Sequence, residues 1–381
     1  MASRSLNGML RDWLPAAATV VFVGALALAG CTPPEPLTIG FVGSTSGRTA
    51  DLGIAGRDAV QLAVERRNQS GGVAGRQVRL LLRDDEQNPE VARRVVRELI
   101  DQGAVAIIGP MTSAMAVAVV PVANQTQVLL MSPTVSTDQL TGLDDQFFRV
   151  NASTVASARR LAQFLLEQQG THRLVAIHDI GNRSFTESWL AGFQAGFEQG
   201  GGELVGRIGF ASGGDTSFLR IARDALATPV DGVVVLANAT DTALLSQQIR
   251  KLDSRLPIMA SGWAASDRLI EVGGKAVEGL TLVQDFDRNS GATRYQEFRR
   301  LYLERFHREP EAAAVNAFDA GNVVLDALAG RRDLQQGVKE AVLAARHFEG
   351  LQEPISFDAF GDVRRKLFVT VVRDGRFTLV R

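Results

Sequence analysis

Three short runs of hydroxyl side chains stand where a small carboxylate could be bound. The runs are Ser44 to Ser46, Met111 to Ser113 and Ser132 to Thr137, and each follows an apolar stretch. Ser and Thr hydroxyls, together with the free N–H groups at a helix start, can bind a carboxylate. A single run is more typical of a helix cap or a turn. Three runs in equivalent positions favour a binding site.

Sequence patterns for catalysis or metal binding are weak. The chain has no GxSxG, Walker A or strand-linked GxGxxG motif, one Cys, and four His without close ligand spacing. His178 and Asp179 are neighbours on a predicted strand, so their side chains should point to opposite faces and form no dyad. Asp84 and Asp85 could act as carboxylate ligands or a general base, although a strand-end turn is the more typical explanation. We therefore expect no enzyme activity, no cofactor and no metal site.

The elements that position the hydroxyl runs alternate between short apolar stretches and longer amphipathic ones, which predicts a parallel β-α-β sheet. Because parallel strands end at one edge of a sheet, the three hydroxyl runs are expected to meet there. The predicted strands cover 37–43, 77–84, 104–109 and 128–131, and the predicted helices cover 53–69, 89–102 and 113–125.

After FFRV (147–150) the alternation begins again, so the chain should contain two successive α/β units. Near its strand ends the second unit offers GNRSF (181–185), Asn238 and Trp263, where an aromatic face suits a small amphipathic ligand. DG at 374–375 predicts a terminal hairpin. Predicted helices are 153–169, 185–199, 216–227, 240–253, 265–273, 292–307, 312–329 and 334–346; predicted strands are 174–179, 203–210, 231–237, 257–261, 279–286, 355–358, 366–372 and 377–380.

The N-terminus is typical of a secretory signal. Arg4 and Arg11 precede an apolar run from about 14 to 28, and LAGC (28–31) follows it and resembles the lipobox of bacterial lipoproteins. That resemblance implies that residues 1–30 are removed, that Cys31 carries lipid and that residues 31–36 form a tether. The alternative is an uncleaved membrane anchor, and either form places the domain outside the cytoplasm. The net charge of −1 over 381 residues predicts no nucleic-acid surface.

From Leu37 to Thr141 the sequence resembles the periplasmic branched-chain amino acid-binding proteins that feed ABC transporters. The likeness covers nearly the whole mature chain and weakens after about residue 200. It implies a type I periplasmic-binding fold: α/β, with two Rossmann-like lobes joined by three crossovers and a ligand cleft that closes about a hinge. The motifs that carry the resemblance are DD at 84–85, SP at 132–133, and the N-GG-G-R pattern of Asn68, Gly71, Gly72, Gly75 and Arg76.

On that resemblance, lobe I should comprise 37–149 and 287–352, and lobe II 150–286 and 353–381. The resemblance also implies that small residues after the third and fourth strands hold the carboxylate and ammonium of an amino acid, with further contacts from lobe II. The candidate ligand-binding residues are Ser46, Leu52, Ser113, Thr134, Ser136, Arg183, Phe185, Asn238, Trp263 and Asp285.

The acidic residue that the family uses for the ammonium falls at Gly262 or Trp263, and neither is acidic. A buried ammonium without a carboxylate is costly, so the site needs another acid, a cation–π contact with Trp263, or a ligand without an ammonium. Asp285 and Asp179 are the candidate acids. We expect leucine, isoleucine and valine to bind more weakly than an aromatic, amidated or non-α-amino carboxylate.

The resemblance and the residues together predict a non-enzymatic, lipid-anchored solute-binding protein. Its expected partners are a small carboxylate ligand and an ABC transporter permease, and its only attachment to the membrane is the lipid. A ligand-sensing receptor domain of the same fold and a cell-envelope hydrolase are the alternatives.

Cys31→Ala should abolish membrane retention, because the chain has no other thiol to acylate. Metabolic labelling with palmitate, followed by membrane fractionation, measures this. A free Cys31 thiol in mature, membrane-associated protein would contradict the lipid anchor.

Overall fold

The computed structural model describes residues 34–213, 215–331 and 337–380. The predicted signal peptide and the lipidation residue Cys31 lie outside the described residues. Within those three ranges, the helices are all too short or too polar to span a bilayer.

The first sheet has five parallel strands in the order β2-β1-β3-β4-β5. α-Helices connect β1 to β2, β2 to β3 and β3 to β4, as the alternating apolar pattern predicted, whereas only a short 3-10 turn, Asp138–Leu140, lies between β4 and β5. We call this sheet with its helices lobe I. Its elements in this part of the chain are β1 Leu37–Gly43, α1 Ala50–Gln69, β2 Val78–Asp84, α2 Pro89–Asp101, β3 Ala104–Ile108, α3 Ser113–Thr126, β4 Leu129–Ser132 and β5 Phe147–Arg149.

The second sheet, with its helices, is lobe II and has seven strands in the order β14-β13-β10-β9-β8-β6-β7. Its strands β6 to β10 are parallel, β13 pairs antiparallel with β10, and β14 pairs antiparallel with β13. The remaining elements are α4 Thr154–Phe164, β6 Arg173–Asp179, α5 Arg183–Gln199, β7 Glu203–Phe210, α6 Phe218–Ala225, β8 Gly232–Leu236, α7 Ala239–Leu252, β9 Ile258–Ala260, α8 Asp267–Gly273, β10 Thr281–Gln284, α9 Thr293–Phe306, α10 Ala312–Ala329, α11 Val338–Ala345, β11 His347–Phe348, β12 Ile355–Ser356, β13 Phe368–Arg373 and β14 Arg376–Leu379.

Each sheet is covered by apolar side chains on both faces, as parallel sheets require. Although α10 comes late in the sequence, it packs along α1 and returns the chain to lobe I. Ile355, Phe357 and Val363 also join the lobe I core, and the chain enters the second sheet only at β13. The predicted start of the last lobe II segment, residue 353, comes before the point at which the chain enters the second sheet. The lobe boundaries stay a prediction.

The α/β class and the terminal hairpin are confirmed. β13 and β14 pair through Arg373 and Arg376, and the two turn residues, Asp374 and Gly375, both have positive φ. Two predicted helices are too long. α4 ends at Phe164 and continues only as a π-type turn over Leu165–Gln169. α6 begins after Ser217, whose hydroxyl accepts a hydrogen bond from the N–H of Arg220.

A glycine holds the start of α1 against the end of β1. A Cβ atom at Gly53 would lie 1.8 Å from the carbonyl oxygen of Ser44, so only glycine permits this approach. The approach brings Asp51 and Leu52 to the carboxyl edge of the sheet.

A buried ion pair fixes the loop after β4. The side chain of Arg149, at the end of β5, is only 1% exposed and lies 2.7 Å from Asp362 Oδ1. Its guanidinium also donates to the carbonyl oxygen of Thr137 at 2.9 Å and to the hydroxyl of Thr141 at 2.6 Å. The loop that carries Thr134 and Ser136 is thereby tied to the sheet.

Asp362→Asn should lower the free energy of unfolding by about 3 kcal/mol, because it leaves the buried Arg149 charge without its partner. Urea denaturation followed by circular dichroism measures the change. Asp144→Asn is the control, since Asp144 pairs with Lys339 at the surface and should leave the midpoint nearly unchanged. Equal midpoints for the two variants would contradict the role given to Arg149.

Candidate functional site

A cleft of about 940 Å³, a volume that includes open space at its mouth, lies between the two lobes. Lobe I contributes the start of α1, the ends of β3 and β4, and the start of α10. Lobe II contributes the residues after β6, β9 and β10. The carboxyl ends of parallel strands therefore line the cleft from both sides.

Hydroxyl groups occupy the part of the cleft formed by the ends of β3 and β4. Thr134 donates its proton to the carbonyl oxygen of Met111 at 2.5 Å, so its oxygen is left only as an acceptor. The hydroxyls of Ser113 and Ser136 line the cleft and make no hydrogen bond to another residue within the described ranges. Two donors suited to a carboxylate thus lie beside an acceptor suited to an ammonium.

The N-terminus of α3 also reaches the cleft. Thr112 precedes the helix but does not cap it, because its hydroxyl accepts from Gln87 Nε2 at 2.6 Å. The N–H of Ala114 donates across the cleft to Asn182 Oδ1 at 3.0 Å. One N–H of the first turn is thus already used, and the dipole of this 14-residue helix still favours a negatively charged group at this end.

Phe185 and Trp263 form an aromatic wall on the lobe II side. Their ring centroids are 5.6 Å apart and the rings meet edge to face at 73°. Phe185 is anchored in the lobe II core, whereas Trp263 is partly exposed in the turn Gly262–Ala264. This wall gives the cleft an apolar surface beside its hydroxyls.

The cleft lining contains three acids, Asp51, Asp285 and Glu311, and within the described ranges it contains no Lys, Arg or His. Burial raises the pKa of Glu311 to about 7, and the nearby Asp267 and Asp51 carboxylates add to the rise. Burial also raises the pKa of Asp285, although Arg365 and a 3.3 Å hydrogen bond from Asn316 oppose it.

Behind Asp285 lies a buried cluster in which carboxyl groups outnumber cations. The Arg365 side chain is 2% exposed and lies 3.7 Å from Asp319 and 3.0 Å from Glu353. Burial raises the pKa of Asp319 to about 7. The Arg365 guanidinium therefore faces the carboxyl groups of Asp319, Glu353 and Asp285, Arg294 lies near Asp319 as a further cation, and Asp285 is the member that reaches the cleft.

Several polar contacts cross from one lobe to the other, so the cleft is closed in this structure. Asp241 of α7 is fully buried and pairs with Arg48, which follows β1. Other contacts of this kind are Ser266 Oγ to Asp51 Oδ2 at 2.6 Å, Asp267 N to Glu311 Oε1 at 2.7 Å, Ala114 N to Asn182 Oδ1 at 3.0 Å, Asp138 N to Ser188 Oγ at 3.0 Å and Asn316 Nδ2 to Asp285 Oδ2 at 3.3 Å.

The structure brings seven of the ten predicted site residues together on the cleft lining. Their participation in ligand binding stays a prediction. These seven are Leu52, Ser113, Thr134, Ser136, Phe185, Trp263 and Asp285.

The other three predicted residues do not line the cleft. Ser46 is exposed in the turn after β1. Arg183 is 63% exposed on the first turn of α5 and faces Glu187. Asn238 is buried, but it caps α7 by accepting from the N–H of Asp241 and donating to its carboxylate at 2.8 Å. Asp179, one of the two candidate acids, is also absent from the lining, because its carboxylate accepts from the N–H groups of Gly181 and Ser212.

Several polar residues of the lining were not among the predicted site residues: Asp51, Asn151, Glu311, Asn316, and Asn182, which lies within the GNRSF run but was not singled out. One of them left a signal. Glu311 occupies the N-cap position of α10, where Ser, Thr, Asp or Asn is preferred, and its side chain does not cap the helix. A residue unsuited to its local position often serves a distant contact, here with Asp267.

Comparison with known proteins shows similarity over nearly the whole chain. The model of a family described as periplasmic binding protein matches residues 36–376. The chain is 22% identical over 354 residues to Leu/Ile/Val-binding protein homolog 3 of Brucella melitensis, covering 92% of this chain and 94% of that protein.

Two solved structures extend the comparison. A leucine binding protein, LivK, from Thermotoga maritima has a TM-score of 0.83 at 26% identity, covering 91% of this chain and 98% of that one. A solute binding protein of an ABC transporter from R. palustris, in complex with benzoate, has a TM-score of 0.81 at 21% identity, covering 91% and 95%. The latter similarity concerns the fold alone.

Ser113→Ala and Ser136→Ala should each weaken the binding of a carboxylate ligand by about 1.5 to 3 kcal/mol, with little loss of fold stability, because each removes a donor to a charged group. Isothermal titration calorimetry with the copurifying ligand measures this. Ser157→Ala is the control, since Ser157 lines the same cleft but its hydroxyl already donates to the carbonyl oxygen of Thr154. Unchanged affinity in both test variants would mean that the hydroxyls serve only the fold.

Proposed function

Because this chain belongs to the periplasmic binding protein family, we propose that it captures a small carboxylate-bearing ligand, an amino acid or a derivative, outside the cytoplasm and delivers it to an ABC transporter. The observation that carries the proposal is the composition of the cleft. On lobe I lie the Ser113 and Ser136 hydroxyls, which are unengaged within the described ranges, and the start of α3, which its own N-cap residue Thr112 leaves uncapped; an aromatic wall lies opposite on lobe II.

Capture follows from this division of the site between two lobes. A ligand that meets only lobe I leaves its second side in water, and it gains the contacts of Phe185 and Trp263 when the lobes close. Ligand binding is therefore coupled to closure. The interlobe contacts, above all Arg48 with Asp241, are available only to the closed form and add to its stability.

The identity of the ligand class rests on the hydroxyl end and on the similar proteins. Those proteins carry names for leucine, isoleucine and valine binding, and one solved structure of the same fold holds benzoate. A carboxylate is the group that all these ligands share. A carboxylate at the start of α3 is consistent with this common feature.

The proposed attachment to the membrane is a lipid on Cys31. The tether of residues 31–36 joins directly to β1, the second strand of the lobe I sheet. A lipid at that position would hold the binding protein close to a permease without a membrane-spanning segment.

Closure can be measured by small-angle scattering with the copurified ligand removed and then restored. We expect a smaller radius of gyration at saturating ligand and recovery of the ligand chemically unchanged, as identified by mass spectrometry. A chemically converted ligand would point to an enzyme, and an unchanged radius of gyration would count against capture by closure.

Arg48→Gln should weaken ligand affinity about tenfold, because it removes the interlobe ion pair without touching the cleft lining. Arg57→Gln is the matched control. Arg57 is equally exposed at 35%, but it pairs with Asp58 inside lobe I. Equal affinities for the two variants would remove Arg48 from the closure mechanism.

A further inference from the structure

The described lining of the cleft carries acids without a matching cation. A ligand with a neutral side chain, or an aromatic acid, would not supply that cation. All three ionisable residues on the described lining are acids, and none of the cations near them reaches the cleft. Arg288 lies near Glu311, but it pairs with Asp267 at 2.7 Å. Around Glu311 three carboxyl groups share the guanidinium of Arg288, and around Asp285 the carboxyl groups likewise outnumber the cations.

The carboxylates of Glu311 and Asp51 can each accept further hydrogen bonds, although each already accepts one from lobe II. Glu311 accepts the N–H of Asp267 on Oε1, and Asp51 accepts the hydroxyl of Ser266 on Oδ2. Each carboxylate has two oxygens and about four acceptor positions, so one bond leaves most of this capacity unused. Both donors are neutral, and neither contact cancels a negative charge.

The two halves of the lining also fix the direction in which a ligand could lie. A carboxylate is favoured beside Ser113, Ser136 and the start of α3, and it would be repelled by Asp51 and Glu311. The opposite preference holds for a cation.

We infer that the ligand carries a cationic group remote from its carboxylate, bound by Glu311 together with Asp51, so that the substrate class is that of basic amino carboxylates. This inference rests on the proposed function and makes it more specific. Glu311 is then a specificity-determining residue, and a neutral aliphatic or aromatic side chain would leave its charge uncompensated.

The protonation of Glu311 is consistent with this role. The charged or titratable groups that face it are Asp51 on α1, Asp267 at the start of α8, Arg288 after β10 and Tyr302 on α9. With its pKa raised by burial to about 7, the Glu311 carboxyl is partly protonated near neutral pH. A cation stabilises the ionised form, so preference for a cationic ligand should grow as pH rises through 7.

The test uses ligand pairs of matched shape that differ in the remote cation. They are lysine and norleucine, arginine and citrulline, and 4-aminobutyrate and pentanoate. Calorimetry on the ligand-free mature protein at pH 8 should show that, in at least one pair, the cationic member binds about tenfold more tightly. The ratio should fall toward one in Glu311→Gln, which keeps an oxygen for the N–H of Asp267, and it should shrink in the wild type at pH 5.5.

Glu309→Gln is the matched control. Glu309 pairs with Arg299 away from the cleft, so this variant should keep the wild-type ratio. The inference is overturned if the neutral member binds as tightly in every pair, if Glu311→Gln keeps the preference, or if no member of any pair binds. Binding of leucine or benzoate in those cases would leave the proposed function intact, whereas failure of these two ligands as well would also count against carboxylate capture.

Discussion

The parallel hydrogen-bond ladder that joins β1, β3 and β4 is the constraint on which the site depends. It ends three strands at one edge, so side chains separated by many residues in the sequence meet at the cleft. The loops at this edge are held in turn by buried contacts. The guanidinium of Arg149 fixes the loop after β4, and Gly53 lets α1 close against the end of β1. The positions of the Ser113, Thr134 and Ser136 hydroxyls thus follow from backbone geometry and from buried contacts outside the cleft.

Closure and recognition use the same residues at the acidic side of the cleft. Asp51 and Glu311 accept hydrogen bonds from lobe II while they also line the ligand space. A neutral donor can hold such a carboxylate in position, but it cannot offset the cost of burying its charge. The Arg48–Asp241 pair differs, because both charges are matched there and nothing is left for a ligand. The Arg48–Asp241 contact is therefore complete without a ligand. In the inferred mode of binding, the cation of the ligand compensates the charges of Asp51 and Glu311.

The loop around a strand end decides whether a polar residue there serves the site or the fold. Ser113 and Asn238 both stand at the junction of a strand and a helix. The hydroxyl of Ser113 stays unengaged within the described ranges, whereas the amide of Asn238 is used as a helix cap. Asp285 and Asp179 differ in the same way, since only Asp285 reaches the cleft and Asp179 organises its own loop. In each of these two pairs, both residues are polar and stand at the end of a strand. The contacts made by the surrounding loop therefore decide which of them reaches the cleft.

Apolar periodicity was enough to predict most strands and helices of both lobes, because burial on two faces of a parallel sheet leaves a local pattern in the sequence. It also located the hydroxyls of Ser113, Thr134 and Ser136, which directly follow strands. It could not locate Asp51 or Glu311 as cleft residues. Their place depends on the return of α10 to pack along α1 and on the approach of the Ser266–Asp267 segment across the cleft. The charge balance of the cleft arises from contacts between distant segments, and it therefore exists only in the tertiary structure.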